Sequence, residues 1–170
     1  ELVSIANAFR NNVELDLGSV NNIIQTNFSD LYVKYVTSLS GQYNISFQDG
    51  IAQTGIVAII EGKNPSKKCI ALRADMDALP ILEQNKVDYV SKNEGIMHAC
   101  GHDVHTSSLL GTAIILQTLK EEWEGTVKLF FQPSEEKMPG GAKVMIDEGV
   151  LEQVPIPQSI YGQHVQDRKS

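Results

Sequence analysis

A chain of 170 residues with 42% hydrophobic content is long enough to bury a sizeable core, which argues for one globular domain and against disorder. Its 14 Lys and Arg are outnumbered by 21 Asp and Glu, a net charge of -7, so phosphate backbones and anionic headgroups are repelled, and nucleic acid and membrane surfaces are poor partners. No apolar run approaches the roughly 20 residues that span a bilayer, and Glu1-Leu2-Val3-Ser4 is not a basic stretch leading into an apolar one; a cytoplasmic protein is expected.

In chain order, Val20, Ile23, Ile24, Phe28, Leu31 and Tyr35 recur at spacings of three and four after Ser19, which predicts a capped amphipathic helix over 20–39. Residues 43–47 alternate weakly. Gly55-Ile56-Val57-Ala58-Ile59-Ile60 and Cys69-Ile70-Ala71-Leu72 are short apolar runs separated by Gly62-Lys63-Asn64-Pro65-Ser66, which predicts neighbouring strands joined by a turn. Leu110, Ile114, Ile115 and Leu119 give 107–119 a helical period, and Thr126-Val127-Lys128-Leu129-Phe130-Phe131 is a β-rich run that ends at Pro133. A further helix is expected over 141–148, closed by Gly149, and a last strand over 159–165.

Strands alternating with helices predict an α/β fold, a mostly parallel or mixed sheet flanked by helices. Ligands gather at the carboxyl ends of such strands. Asp75 and Asp77 follow one predicted strand, Glu135 and Glu136 another, and His164 lies near the end of a third. No repeat, low-complexity tract or linker marks a second domain within these residues.

The chain has two cysteines, too few for a disulfide framework. Cys69 sits in an apolar run and reads as core. Cys100 stands in Cys100-Gly101-His102, where a thiolate and an imidazole on a glycine turn can face one ion, the sulfur and nitrogen mixture that zinc favours; the competing reading is a buried loop in which His98, His102 and His105 only form hydrogen bonds. Glu135-Glu136 is an acidic pair that repels itself unless a cation takes one carboxylate as ligand and leaves the other to act on activated water; otherwise it is a solvated loop pair. Asp75 and Asp77 either orient a ligand histidine or cap a turn before Pro80.

The strings ALRADMDALP, MHACGHDVH, FQPSEE, PGGAKVMIDEGVLE and GQHV follow one another in this order between Ala52 and Gln166. Together they resemble the aminoacylase, auxin-conjugate amidohydrolase and hippurate hydrolase family of dinuclear metallopeptidases. The resemblance implies a zinc-exopeptidase-like catalytic domain with a lid domain inserted in it, and hydrolysis of N-acyl amino acids or related small amides. It implies two divalent ions, zinc or manganese, with cobalt or nickel as substitutes. By matching motifs, Cys100, His102, Glu136 and His164 would be metal ligands, Glu135 the general base and Asp77 the acid that orients the centre, with Asp75 near it and His105 structural.

Two departures bear on that expectation. Residues 1–51 lack the family's arginine- and histidine-rich helix and its Pro-Glu, so no role is carried onto them. The chain reaches Ser170 before the lid, through which the family dimerises, and before the returning segment with a further ligand histidine; residues 52–166 are therefore expected to be part of a catalytic domain, and poorly active alone. The alternatives are a catalytically idle metal-binding or scaffold domain, and a cysteine-nucleophile hydrolase using Cys100 and His102.

Overall fold

The computed structural model describes residues 41–166; the helix expected over 20–39 lies outside the described residues. Its elements are β1 (Ser46–Ile51), β2 (Gly55–Glu61), β3 (Cys69–Asp75), α1 (His102–Thr118), β4 (Thr126–Gln132), α2 (Gly141–Asp147) and β5 (Ile160–Gly162). They build a five-stranded sheet in the order β1-β2-β4-β3-β5. β3 pairs in parallel with both β4 and β5, whereas β2 is antiparallel to β1 and to β4. The sheet is thus mixed, its parallel part confined to β4, β3 and β5.

β4 takes the central place because every residue of it is buried, as a strand covered on both faces must be. Alternation sends Val127, Leu129 and Phe131 to one face, where they meet Ile56, Ala58 and Ile60 of β2 and Leu109, Leu110 and Ala113 of α1. Phe130 turns the other way, toward Val57, Ala71, Met145 and Val150. Lys128 shares that second face and is fully buried, its Nζ donating to the carbonyl of Gln153 at 2.5 Å; burial pushes its pKa below the ordinary lysine value. Cys69 is buried on the same side, its thiol 3.5 Å from the carbonyl of Pro155, in keeping with a core role.

The expectation that β2 and β3 are neighbours is corrected: β4 lies between them. The connection between them arches over the start of β4, with Gly62 and Lys63 donating to the carbonyls of Gly125 and Trp123 and the carbonyl of Lys68 accepting from Thr126. A turn sequence shows that the chain reverses. It does not show that a later, more apolar strand will enter the gap.

Two boundaries also differ. α1 starts at His102 rather than near Ser107, because His102, His105 and Thr106 are buried polar residues on its inner face and leave no apolar period. β5 is shorter than expected, and all of it is exposed at the sheet edge. α2 ends as expected, with Gly149 at φ +83 after it. No helix among the described residues is long and apolar enough to cross a membrane.

Leu129 has no exposed surface and packs between β2 and α1. Leu129→Ala is expected to lower unfolding stability by about 3 kcal/mol, read as a reduced urea midpoint with an unchanged slope.

Candidate metal centre

Because β3, β4 and β5 run in parallel, their carboxyl ends open on one side of the sheet, and in register: Asp75 of β3 stands opposite Gln132 of β4, and Arg73 opposite Gly162 of β5. α1 returns from that side and so begins there. Gly101, at φ +80, makes the turn into the helix, and its carbonyl accepts from the amides of Val104 and His105; left-handed backbone is where glycine costs least. The exits of three strands and one helix start thereby bring together Asp75, Asp77, Cys100, His102, Glu135, Glu136 and His164.

Asp77 joins two of these segments. Its Oδ1 lies 2.9 Å from Nδ1 of His102, and its Oδ2 accepts the backbone amides of Glu135 at 2.8 Å and Glu136 at 2.9 Å. Nδ1 of His102 is also 3.0 Å from the carbonyl of Asp77. Both of its neighbours can only accept, so Nδ1 carries the proton and Nε2 keeps its lone pair. His164 follows the same logic: Nδ1 donates to the carbonyl of Val165 at 2.7 Å, and Nε2 lies 3.5 Å from Sγ of Cys100. The two imidazoles therefore present basic nitrogens to the space that the thiol faces.

His105 differs. Its Nδ1 donates to Asp75 at 2.7 Å, and its Nε2 accepts the amide of Val165 at 2.9 Å, so both ring nitrogens are engaged. Asp75 is nearly fully buried and is held by Nη1 of Arg73 at 2.8 Å, while its carbonyl accepts from the hydroxyl of Thr106 at 2.7 Å. Burial works to raise the Asp75 pKa. The bond from His105 and the nearby charge of Arg73 outweigh it and hold the carboxyl below its usual range.

Three groups of side chains among the described residues have donor atoms within 4.8 Å of one another: Cys100, His102 and His164; His102, Glu135 and Glu136; and Asp75, His102 and His105. In the third, Asp75 and both ring nitrogens of His105 are already taken up by hydrogen bonds and the Arg73 ion pair. The first two share His102 and offer sulfur, nitrogen and carboxylate oxygen, a donor set suited to divalent metals. Burial, together with the carboxylates of Glu136, Glu135 and Asp75, raises the pKa of Cys100. These residues lack positive charge, and a cation would supply it.

Sequence reasoning missed Arg73 and the contact between His105 and Val165. Arg73 and Asp75 are two apart on a strand, hence on one face, a signal open to reading. The second contact runs through a backbone amide and leaves no such mark.

A mixed sheet whose parallel strands and helix start gather imidazole, thiol and carboxylate groups at one edge places a candidate metal site where open α/β sheets hold their ligands. Residues 71–170 match peptidase family M20/M25/M40, and the chain belongs to that family. It is 45% identical over 113 residues to an N-acyl-L-amino acid amidohydrolase of Geobacillus stearothermophilus, a match covering 66% of this chain and 30% of that protein. It is 44% identical over 119 residues to a hippurate hydrolase of Campylobacter jejuni, covering 70% of this chain and 30% of that protein. Among solved structures, a Bacillus subtilis dinuclear metal binding peptidase from the M20 family superposes with a TM-score of 0.78 at 33% identity, over 91% of this chain and 44% of that one. The chain thus spans 30% of the length of these two curated relatives.

Asp75 gives the site a pH signature. Its folded pKa lies below the unfolded one, so its stabilisation is complete above the unfolded value of about 3.9 and is lost as pH falls through the folded one. Asp75→Asn is expected to cost roughly 3 kcal/mol near neutral pH and progressively less in acid, measured by urea unfolding across that range. A cost independent of pH would contradict the assignment.

Proposed function

We propose that the chain is part of the catalytic domain of a metal-dependent amidohydrolase acting on N-acyl amino acids or related small amides, with residues 52–166 as its family-like portion. The observation that carries this reading is the convergence of Cys100, His102, His164, Glu135 and Glu136 around the Nε2 atoms of two imidazoles whose protons sit on Nδ1, directed away from the shared space. The names of the relatives support the substrate class, and family membership supports the chemistry.

In this reading Cys100, His102, Glu136 and His164 hold two divalent ions, zinc or manganese. When bound, such ions polarise an amide carbonyl and lower the pKa of water to about 7. Glu135 is the general base: it stands beside Glu136 on an exposed loop, takes a proton from the attacking water and returns it to the leaving amine nitrogen. Asp77 fixes the His102 tautomer and, through the amides of Glu135 and Glu136, the loop that bears base and ligand. Two free thiols are compatible with a reducing, cytoplasmic setting.

Hydrolysis of a panel of N-acetyl, N-benzoyl and indole-acyl amino acids with added zinc, manganese or cobalt tests the reading, in this chain and in a longer form reaching the length of its relatives. Metal uptake without turnover in both would support an idle scaffold instead. Glu135→Gln is expected to lower kcat by about 10²–10⁴ while metal content stays at the wild-type level; loss of metal along with activity would move Glu135 into the ligand set. Cys100→Ser is expected to weaken metal affinity, measured by titration, and unchanged stoichiometry and affinity would remove Cys100 from the ligands.

A further inference from the structure

We infer that His105, backed by Asp75 and seated against Gly101, is a positioning residue that sets His164 over the Cys100 side of the metal centre. The inference rests on the proposed role of Cys100 and His164 as ligands.

His164 has little else to hold it. It lies on an exposed segment beyond Gly162, the last paired residue of β5, and β5 is an edge strand with one neighbour. Its ring nevertheless approaches Cys100 to 3.5 Å. The next residue supplies the anchor. The amide of Val165 donates to Nε2 of His105 at 2.9 Å, and its side chain lies so close over Gly101 that a Cβ added there would stand 2.2 Å from Cγ2 of Val165. The His105 and His164 rings stand edge to face with centroids 4.8 Å apart.

His105 can act as an anchor because it is itself fixed. It is 1% exposed, and its Nδ1 proton is held by the Asp75 carboxylate, which Arg73 grips in turn. A line of contacts therefore runs from Arg73 through Asp75, His105 and Val165 to His164. The two acids that leave β3 divide the work: Asp77 orients His102 directly, and Asp75 orients His164 through an intervening imidazole. Partners that orient ligands in this way typically contribute about 10- to 100-fold in metal affinity.

Cobalt titration of the intact chain tests this, reading ions bound per chain, affinity, and the thiolate-to-cobalt charge-transfer absorption that reports the Cys100 side alone. His105→Asn keeps a donor for Asp75 but has no acceptor that reaches Val165. It is expected to weaken the thiolate-bearing site by about 10- to 100-fold and to leave the other site unchanged. His105→Gln, whose carbonyl can accept from Val165, should recover most of the loss. Val165→Pro, which deletes the donating amide at a surface position and leaves the buried ring intact, should weaken the same site in the same direction.

Wild-type affinity of the thiolate site in both His105→Asn and Val165→Pro overturns the inference while leaving the metal-centre reading standing. Loss of an ion in His105→Asn alone, with Val165→Pro unaffected, overturns it in favour of His105 as a ligand. Absence of the charge-transfer band in the wild type removes the ligand reading, and the positioning role with it.

Discussion

The Asp77 carboxylate is the contact on which the rest of the site depends. One oxygen receives the proton of a nearly fully buried imidazole, and the other receives two consecutive backbone amides from a loop far away in sequence. Bonds to an ionised acceptor are shorter and roughly twice as strong as neutral ones, and here they are spent on geometry. They select the His102 tautomer and bring the acidic loop against the start of α1. The same arrangement places Glu135 and Glu136 near other carboxylates, with Arg73 the one lysine or arginine paired with any of these acids among the described residues. Such crowding is unfavourable for a protein without an ion and favourable for one that binds divalent metal.

That contact is possible only because of the sheet. Parallel strands deliver their exits to a common edge, and a helix crossing back between two of them must begin where the first of them ends. β2, antiparallel to this unit, and β1 beyond it at the sheet edge contribute no residue to the site. Their part is burial: β2 covers one side of β4 and lets that strand be apolar along its length.

Much of this was legible beforehand, and the limits have physical reasons. Apolar runs located β2, β3, β4 and the body of α1, because burial of alternate or periodic residues is a local pattern. The order of strands was not legible, since β4 enters between β2 and β3 for reasons of burial that no local window contains. The start of α1 was hidden for the opposite reason, its inner face there being built from His102, His105 and Thr106. Cys100, Glu135, Glu136 and His164 stood out as chemical types in suggestive company. The separate tasks of Asp75 and Asp77 did not, because they depend on which nitrogen of which ring each carboxylate meets.

Lys128 has no part in the chemistry, yet it bears on where the chemistry sits. Side chains alternate along a strand, so sliding β4 by one residue would carry this amine into the layer of Leu129 and Phe131 and away from the Gln153 carbonyl that receives it. The penalty for that slip is large, and the slip itself is about 3.3 Å, enough to pull the amides of Glu135 and Glu136 off Asp77. A lone ammonium in the back of the sheet thus works as an indexing pin: it fixes how far the central strand protrudes, and so where the acidic loop begins.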